Sequence, residues 1–206
     1  MINIAIAKGY LWDQAYDYLL RLGLSFPYNI ADTRKLSVVD STQCVTLFCV
    51  RSWDVPTYVE QGAADLGIVG KDVLYEQQPN IMELLDLKFG GCQLVLAGPN
   101  PQETLSHGMR VATKYTHSTL TYFRKLGLTV KPIALYGAIE LAPNTGLADI
   151  ICDLTATGST LRDNGHHILD TVFDSTARLI ANVASMHNEY SEIMDIAARL
   201  SRIVDA

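Results

Sequence analysis

The residues with most chemistry in them lie together near the middle of the second half, where the chain runs IICDLTATGSTL from Ile150 to Leu161. An apolar run, Ile150-Ile151-Cys152, ends in Asp153. Thr155, Ala156, Thr157, Gly158, Ser159 and Thr160 follow, ahead of a helix-like stretch from Leu161. This order predicts a buried strand, a tight loop and a helix start. Such a loop aims several backbone N–H groups and hydroxyls in one direction, at the positive end of a helix dipole, and so forms a phosphate cradle. The carboxylate of Asp153, just before it, suits the hydroxyls of a sugar carrying that phosphate. The same residues also describe a plain strand followed by a Ser/Thr-capped helix, and a short Gly/Ser/Thr loop is by itself a weak motif.

Two further places hold cations where an anion would be met. Lys8-Gly9 follows a strand-like INIAIA and precedes a helical pattern, so it is placed to hold an anion or to be a solvated Lys beside a turn Gly. Arg51 follows directly on the strand Val45 to Val50. In an α/β protein that is the side of the sheet where ligands bind, although a surface Arg paired with a carboxylate would read the same. Local cations matter because the net charge is −6. That balance argues against nonspecific nucleic-acid binding and leaves an anionic substrate to a few placed side chains. The four cysteines, Cys44, Cys49, Cys92 and Cys152, form no CxxC pair and sit in or beside apolar runs. They are expected to be buried reduced thiols of a cytosolic protein, with no structural metal. His166 and His167, taken as helical, would point to different faces, which argues against a shared metal.

The elements that must position these groups follow from periodicity. Strands are predicted at 2–7, 36–39, 45–50, 65–70, 81–87, 92–97, 109–113, 130–135, 150–152 and 176–181. Helices are predicted at 11–22, stopped by Gly23; from about 52, where Asp54 is a candidate cap; from Lys71; at 118–126, stopped by Gly127; at 136–141, carrying Glu140; from Leu161; and at 189–204, with an apolar stripe. No apolar run approaches the roughly 20 residues of a membrane span, and the N-terminus lacks an export-signal pattern. Strands alternating with helices predict an α/β protein with largely parallel sheets. A joint at Gly90-Gly91 separates two stretches, which predicts two α/β lobes with a cleft between them.

Assembled, the chain resembles ATP phosphoribosyltransferase. The segments that carry the likeness are AKG at 7–9, VRSWDVPTYVEQGAADLGIVGKDVL at 50–74, FGGCQLVLAG at 89–98, RVATKY at 110–115 and GLADIICDLTATGSTLRDNG at 146–165. The D-x-x-x-T-G-x-T core of the last is the most specific. The resemblance implies an α/β fold with two lobes of the periplasmic-binding-protein type, lobe one from 1–90 plus 175–206 and lobe two from 91–174. It implies transfer of phosphoribosyl from 5-phosphoribosyl pyrophosphate to N1 of ATP with inversion and loss of pyrophosphate, the first step of histidine biosynthesis. It implies Mg²⁺ held mainly through substrate phosphates. It also implies the short form of the enzyme, cytoplasmic, working in a hetero-octamer with a regulatory subunit resembling histidyl-tRNA synthetase, without nucleic acid or membrane.

Residue roles follow from the same resemblance. Thr155, Ala156, Thr157, Gly158, Ser159 and Thr160 are expected around the 5-phosphate. Asp153 is expected on the ribose hydroxyls, with Glu140 a second carboxylate near them. Arg51, Lys8 and Gly9 are expected on the pyrophosphate or triphosphate. Thr113, Lys114 and Tyr115 form a further rim candidate. Where the family usually reads Lys-Gly-Arg, this chain has Lys8-Gly9-Tyr10, so a guanidinium is missing and Arg34 is a candidate to replace it. The competing reading is a small-anion binding module of the same two-lobed type, which has no need of the D-x-x-x-T-G-x-T loop.

Overall fold

The computed structural model describes residues 1–205 and divides into two compact units. The first takes Met1–Leu74, Gln78–Gly90 and the residues from Thr176 on. The second takes Tyr75–Gln77 and Gly91–Ser175. Relative to the expected lobes, Ser175 and the short piece Tyr75–Gln77 go with the second unit. The strands in chain order are β1 (Ile2–Ala7), β2 (Ser37–Val39), β3 (Val45–Val50), β4 (Leu66–Gly70), β5 (Met82–Asp86), β6 (Cys92–Gly98), β7 (Arg110–Thr113), β8 (Lys131–Ala134), β9 (Ile150–Thr155), β10 (His167–Ser175) and β11 (Ala177–Ala181). The helices are α1 (Trp12–Arg21), α2 (Val55–Glu60), α3 (Lys71–Gln77), α4 (Thr116–Lys125), α5 (Leu141–Asn144), α6 (Ser159–Asp163), α7 (Val183–Asn188) and α8 (Tyr190–Val204), with a 3-10 turn at Ile30–Asp32.

The first unit is built on a six-stranded sheet in the order β2-β3-β1-β4-β11-β5. Its central strand β4, LGIVG, is apolar along its whole length, as a strand buried on both faces is. All five residues of β4 are buried. Its Gly67 is required there: a Cβ would lie 2.7 Å from Val59, 2.9 Å from Val55 and 3.0 Å from Ile180. The buried side of α1 is Trp12, Ala15 and Leu19, a spacing that keeps one helical face inward. Trp12 donates its indole N–H to Asn29 at 3.0 Å, so the largest core side chain is also satisfied. Ile193, Ala197 and Leu200 do the same for α8.

The second unit carries a five-stranded sheet in the order β10-β6-β9-β7-β8. Around it, Val95, Ala97, Ala112, Ile139, Ala142, Ala148, Ile151 and Leu161 form a core of their own.

Both sheets are mixed, which corrects the expectation of largely parallel ones. In the first, β3-β1 and β1-β4 are parallel while β2-β3, β4-β11 and β11-β5 are antiparallel. In the second, β9-β7 and β7-β8 are parallel, β10-β6 and β6-β9 antiparallel. The unforeseen strand is β10. It is mostly exposed and carries two register shifts, between Ile168 and Asp170 and between Thr171 and Phe173. Bulges break the period of two by which a strand is recognised, so its pattern was lost. His166 and His167 are therefore not on a helix: His167 opens β10, and His166 precedes it, buried. The helix expected to carry Glu140 begins one residue after it, leaving Glu140 at the N-cap of α5. Helix α4 starts at Thr116, where the carboxylate of Glu76 accepts the N–H groups of His117 and Ser118 at 2.8 and 2.9 Å. Asp54 stands at the N-cap of α2 but makes no side-chain cap bond. None of the four cysteines is in a disulfide; Cys49 and Cys152 are buried, whereas Cys92 is half-buried and Cys44 exposed, so burial holds for only part of the set.

Candidate active site

Sheet register decides which candidates meet. In the first unit, β1 and β3 run parallel with Ala7 beside Val50. The next residues, Lys8 and Arg51, therefore leave neighbouring strands at the same carboxyl edge, and the Lys8 N–H donates to Val50 O at 2.7 Å. Both side chains are exposed. Gly9 has φ +96° and its carbonyl accepts from Trp12 at 2.8 Å, which turns the chain from β1 into α1. Lys8 is close enough to Cys49 to oppose the rise in the thiol's pKa that burial causes. Strand β2 pairs antiparallel with β3, and Cys49 donates to Leu36 O at 3.0 Å. The segment entering β2, which holds Arg34, thus reaches the same edge. Tyr10 is exposed beside it.

In the second unit the parallel strands β7, β8 and β9 bring their carboxyl ends together, and the remaining candidates lie at those ends or in the segments that follow them. The register sets Thr113 beside Cys152, so Lys114 and Asp153 follow side by side. Asp153 is half-buried and accepts the N–H of Leu154 at 2.8 Å. Burial pushes its pKa up to about 6, and the nearby Glu140 adds to the rise, while the Leu154 bond and Lys114 oppose it. A desolvated carboxylate with a second carboxylate and a lysine in range suits ligation of neighbouring sugar hydroxyls. Glu140 itself is half-buried at the N-cap of α5. Thr113 and Tyr115 lie inward. Both side chains are buried, and Thr113 Oγ1 accepts the Tyr115 N–H at 2.8 Å. Of that trio only Lys114 reaches partway to the surface.

The Thr155–Thr160 loop is organised by its own hydroxyls. Thr155 Oγ1 accepts the Gly158 N–H at 2.8 Å, and the hydroxyls of Thr157 and Ser159 lie 3.0 Å apart. Gly158 is left-handed, φ +71°, the conformation that lets the chain enter α6. Ala156, Thr157, Ser159 and Thr160 are exposed around the turn. Two nearby residues were not foreseen. Arg162, one turn into α6, folds back and donates to Thr157 O at 3.0 Å. The ring of His166 is buried, and its Nε2–H donates to the backbone carbonyl of Glu140 at 2.7 Å, tying the exit of α6 to the start of α5. The basic residue four positions beyond Gly158 was the available signal for the first. Nothing in the sequence pointed to the second, because the bond spans 26 positions.

Comparison with known proteins gives this geometry a context. A family model described as ATP phosphoribosyltransferase matches residues 51–202. An ATP phosphoribosyltransferase of Caldanaerobacter subterraneus subsp. tengcongensis is 42% identical over 206 residues, covering 100% of this chain and 98% of that one. A chain of the ATP phosphoribosyl transferase (HisG:HisZ) complex from Thermotoga maritima superposes with a TM-score of 0.86 at 31% identity, covering 100% of this chain and 99% of its own. The periplasmic aliphatic sulphonate binding protein SsuA from Escherichia coli shares the fold at 14% identity and a TM-score of 0.62, over 98% of this chain and 68% of that one. The two-lobed α/β fold of the periplasmic-binding type is thereby shown, and at this distance the likeness carries fold alone. With a model match over most of its length and full-length relatives at 42% identity, the chain belongs to the ATP phosphoribosyltransferase family.

Proposed function

We propose how this chain's residues carry out the reaction of its family, in which adenine N1 of ATP displaces pyrophosphate from C1 of 5-phosphoribosyl pyrophosphate to give phosphoribosyl-ATP, the first step of histidine biosynthesis. The neutral N1 has a free lone pair, so the nucleophile needs no general base. The barrier lies in building positive charge on the ribose while a highly charged group departs. Catalysis is therefore positioning and electrostatics. Residues Thr155 to Thr160 seat the 5-phosphate through N–H groups and hydroxyls. Asp153 takes the ribose hydroxyls, with Glu140 beside it, and its negative charge favours the developing oxocarbenium. Lys8, Gly9 and Arg51, at one edge of the other sheet, meet phosphates of the leaving group or of ATP, and Arg34 supplies a guanidinium at that edge. Lys114 is the member of its turn placed to help.

Mg²⁺ fits these residues in a limited way. Among the described residues no three His, Cys, Asp or Glu side chains gather as a metal cage. The ion would take phosphate oxygens and water as its main ligands, with Asp153 or Glu140 as protein carboxylates to meet it. When bound it neutralises charge on the pyrophosphate. The working assembly is a complex with a histidyl-tRNA-synthetase-like regulatory subunit, a hetero-octamer, in the cytoplasm. The likeness to a HisG:HisZ complex chain supports that partner. Among the described residues no helix is long and apolar enough to cross a membrane.

The observation that carries the reading of roles is the joint placement, at one sheet edge, of the raised carboxyl of Asp153 and the hydroxyl-organised loop after it. The test is crystallographic. Crystals soaked with 5-phosphoribosyl pyrophosphate and Mg²⁺ should show the 5-phosphate at residues 155–160 and the ribose on Asp153. A donor lodged elsewhere, with that loop empty, overturns these assignments.

A further inference from the structure

The phosphate-seating loop contains no charged residue between Thr155 and Thr160, in a chain whose net charge is −6. A phosphate monoester there would meet N–H groups and hydroxyls but no counter-charge from the loop itself. Arg162 supplies one. Its Nη1 donates to Thr157 O at 3.0 Å, while its backbone N–H donates to Gly158 O at 3.1 Å as part of the first turn of α6. The side chain thus lies back across the bend rather than out along the helix. Gly158 makes the space: a Cβ at that position would stand 3.0 Å from Arg162 Nη1. The glycine therefore serves both its left-handed φ and the approach of the head group. The bond to Thr157 engages one donor of a guanidinium that has five. Arg162 is exposed, and its other N–H groups bond to no other described residue. That is the arrangement a phosphate can use, since a guanidinium matches two phosphate oxygens at once.

We propose that Arg162 is a positioning residue for the sugar donor: it pins the bend through the Thr157 carbonyl and sets a cation beside the 5-phosphate. The inference rests on the seating of that phosphate by residues 155–160. It acts on donor affinity, since a charge on the 5-phosphate is the same in the ground state and the transition state.

The experiment is steady-state kinetics on the complex with the regulatory subunit, with 5-phosphoribosyl pyrophosphate and ATP varied separately, for the unaltered chain, Arg162→Met and Arg162→Lys. Arg162→Met should raise the KM for the donor roughly tenfold or more, the scale of a lost charge-assisted hydrogen bond. It should leave kcat and the KM for ATP within about twofold, the pattern of lost uniform binding. Arg162→Lys should recover part of the loss. Added salt should raise the donor KM less steeply in Arg162→Met than in the unaltered chain. An unchanged donor KM in Arg162→Met overturns the proposal while leaving the parent reading intact. So does an equal rise in both KM values with a lowered Tm, which would make Arg162 part of the scaffold. No phosphoribosyl-ATP from the unaltered complex overturns the parent reading and this inference with it.

Discussion

The Asp153 carboxyl is half-buried, and burial first, then Glu140, raises its pKa to about 6 from an ordinary 3.8. Its folded-state value thus lies above its unfolded one. Between about pH 4 and 6 the folded chain holds more protons than the unfolded chain, so this group's contribution to stability is full below that window and is lost as pH rises through it. Asp153→Asn removes the charge and keeps the shape. We expect the variant to melt higher than the unaltered chain at pH 7.5, by a few degrees, given roughly 2–4 °C per kcal/mol in a chain of this size. At pH 4 the two should melt together. Its kcat/KM should drop roughly a hundredfold, the scale for a lost electrostatic contact to the reacting centre. Thermal scans at the two pH values and a phosphoribosyl-ATP assay check both halves. A variant that melts lower at pH 7.5 would make Asp153 a structural residue.

At the scale of elements, two contacts set how well the sheet edges are presented. Strand β4 lies close under α2, and Gly67 is the residue that permits it. Gly67→Ala drives a methyl into Val59, Val55 and Ile180, and overpacking of this kind costs about 1–3 kcal/mol. Urea titration should show a lower midpoint for the first unit, and an unchanged midpoint would mean that α2 yields freely. The second contact is the Glu76 carboxylate at the start of α4, which also accepts the hydroxyls of Ser118 at 2.8 Å and Thr116 at 3.2 Å. A carboxylate at a helix N-terminus satisfies orphan N–H groups and complements the dipole. Glu76→Ala should cost about 0.5–2 kcal/mol, as lost caps do. It should speed amide exchange at His117 and Ser118 more than at Phe123. Equal protection at all three sites would show that water replaces the cap without loss.

For the molecule as a whole, net charge and family membership point the same way. With a charge of −6, two highly anionic substrates must be captured by cations gathered locally, and Lys8, Arg51 and the segment with Arg34 leave one edge of the first sheet. The proposed regulatory partner belongs to this scale. Mixing the chain with a histidyl-tRNA-synthetase-like subunit should move it to a larger mass by light scattering and raise its turnover. Co-elution at the mass of the separate chains would remove the partner from the proposal.

Much of this was legible in the residues themselves. The family came from contiguous motifs, and the strands β1, β3, β4 and β9 from short, mostly apolar runs, because burial leaves its mark locally. The strand, loop and helix start at 150–161 were likewise visible, since a strand end, a glycine and four hydroxyl residues are neighbours in sequence. What pairing across the chain decides was not. The antiparallel partners β10 and β11 turned the expected parallel sheets into mixed ones, and the bulges in β10 erased its alternation. Burial of Thr113 and Tyr115 followed from how β7 and α4 pack, which no spacing of letters records. The pKa of Asp153 depends on desolvation and on Glu140, thirteen positions earlier, and the tie from His166 to Glu140 spans twice that distance. Sequence alone determined which groups are present and which local turns they make. Only the tertiary structure determined which of them share an edge and a dielectric, because those depend on contacts between residues far apart along the chain.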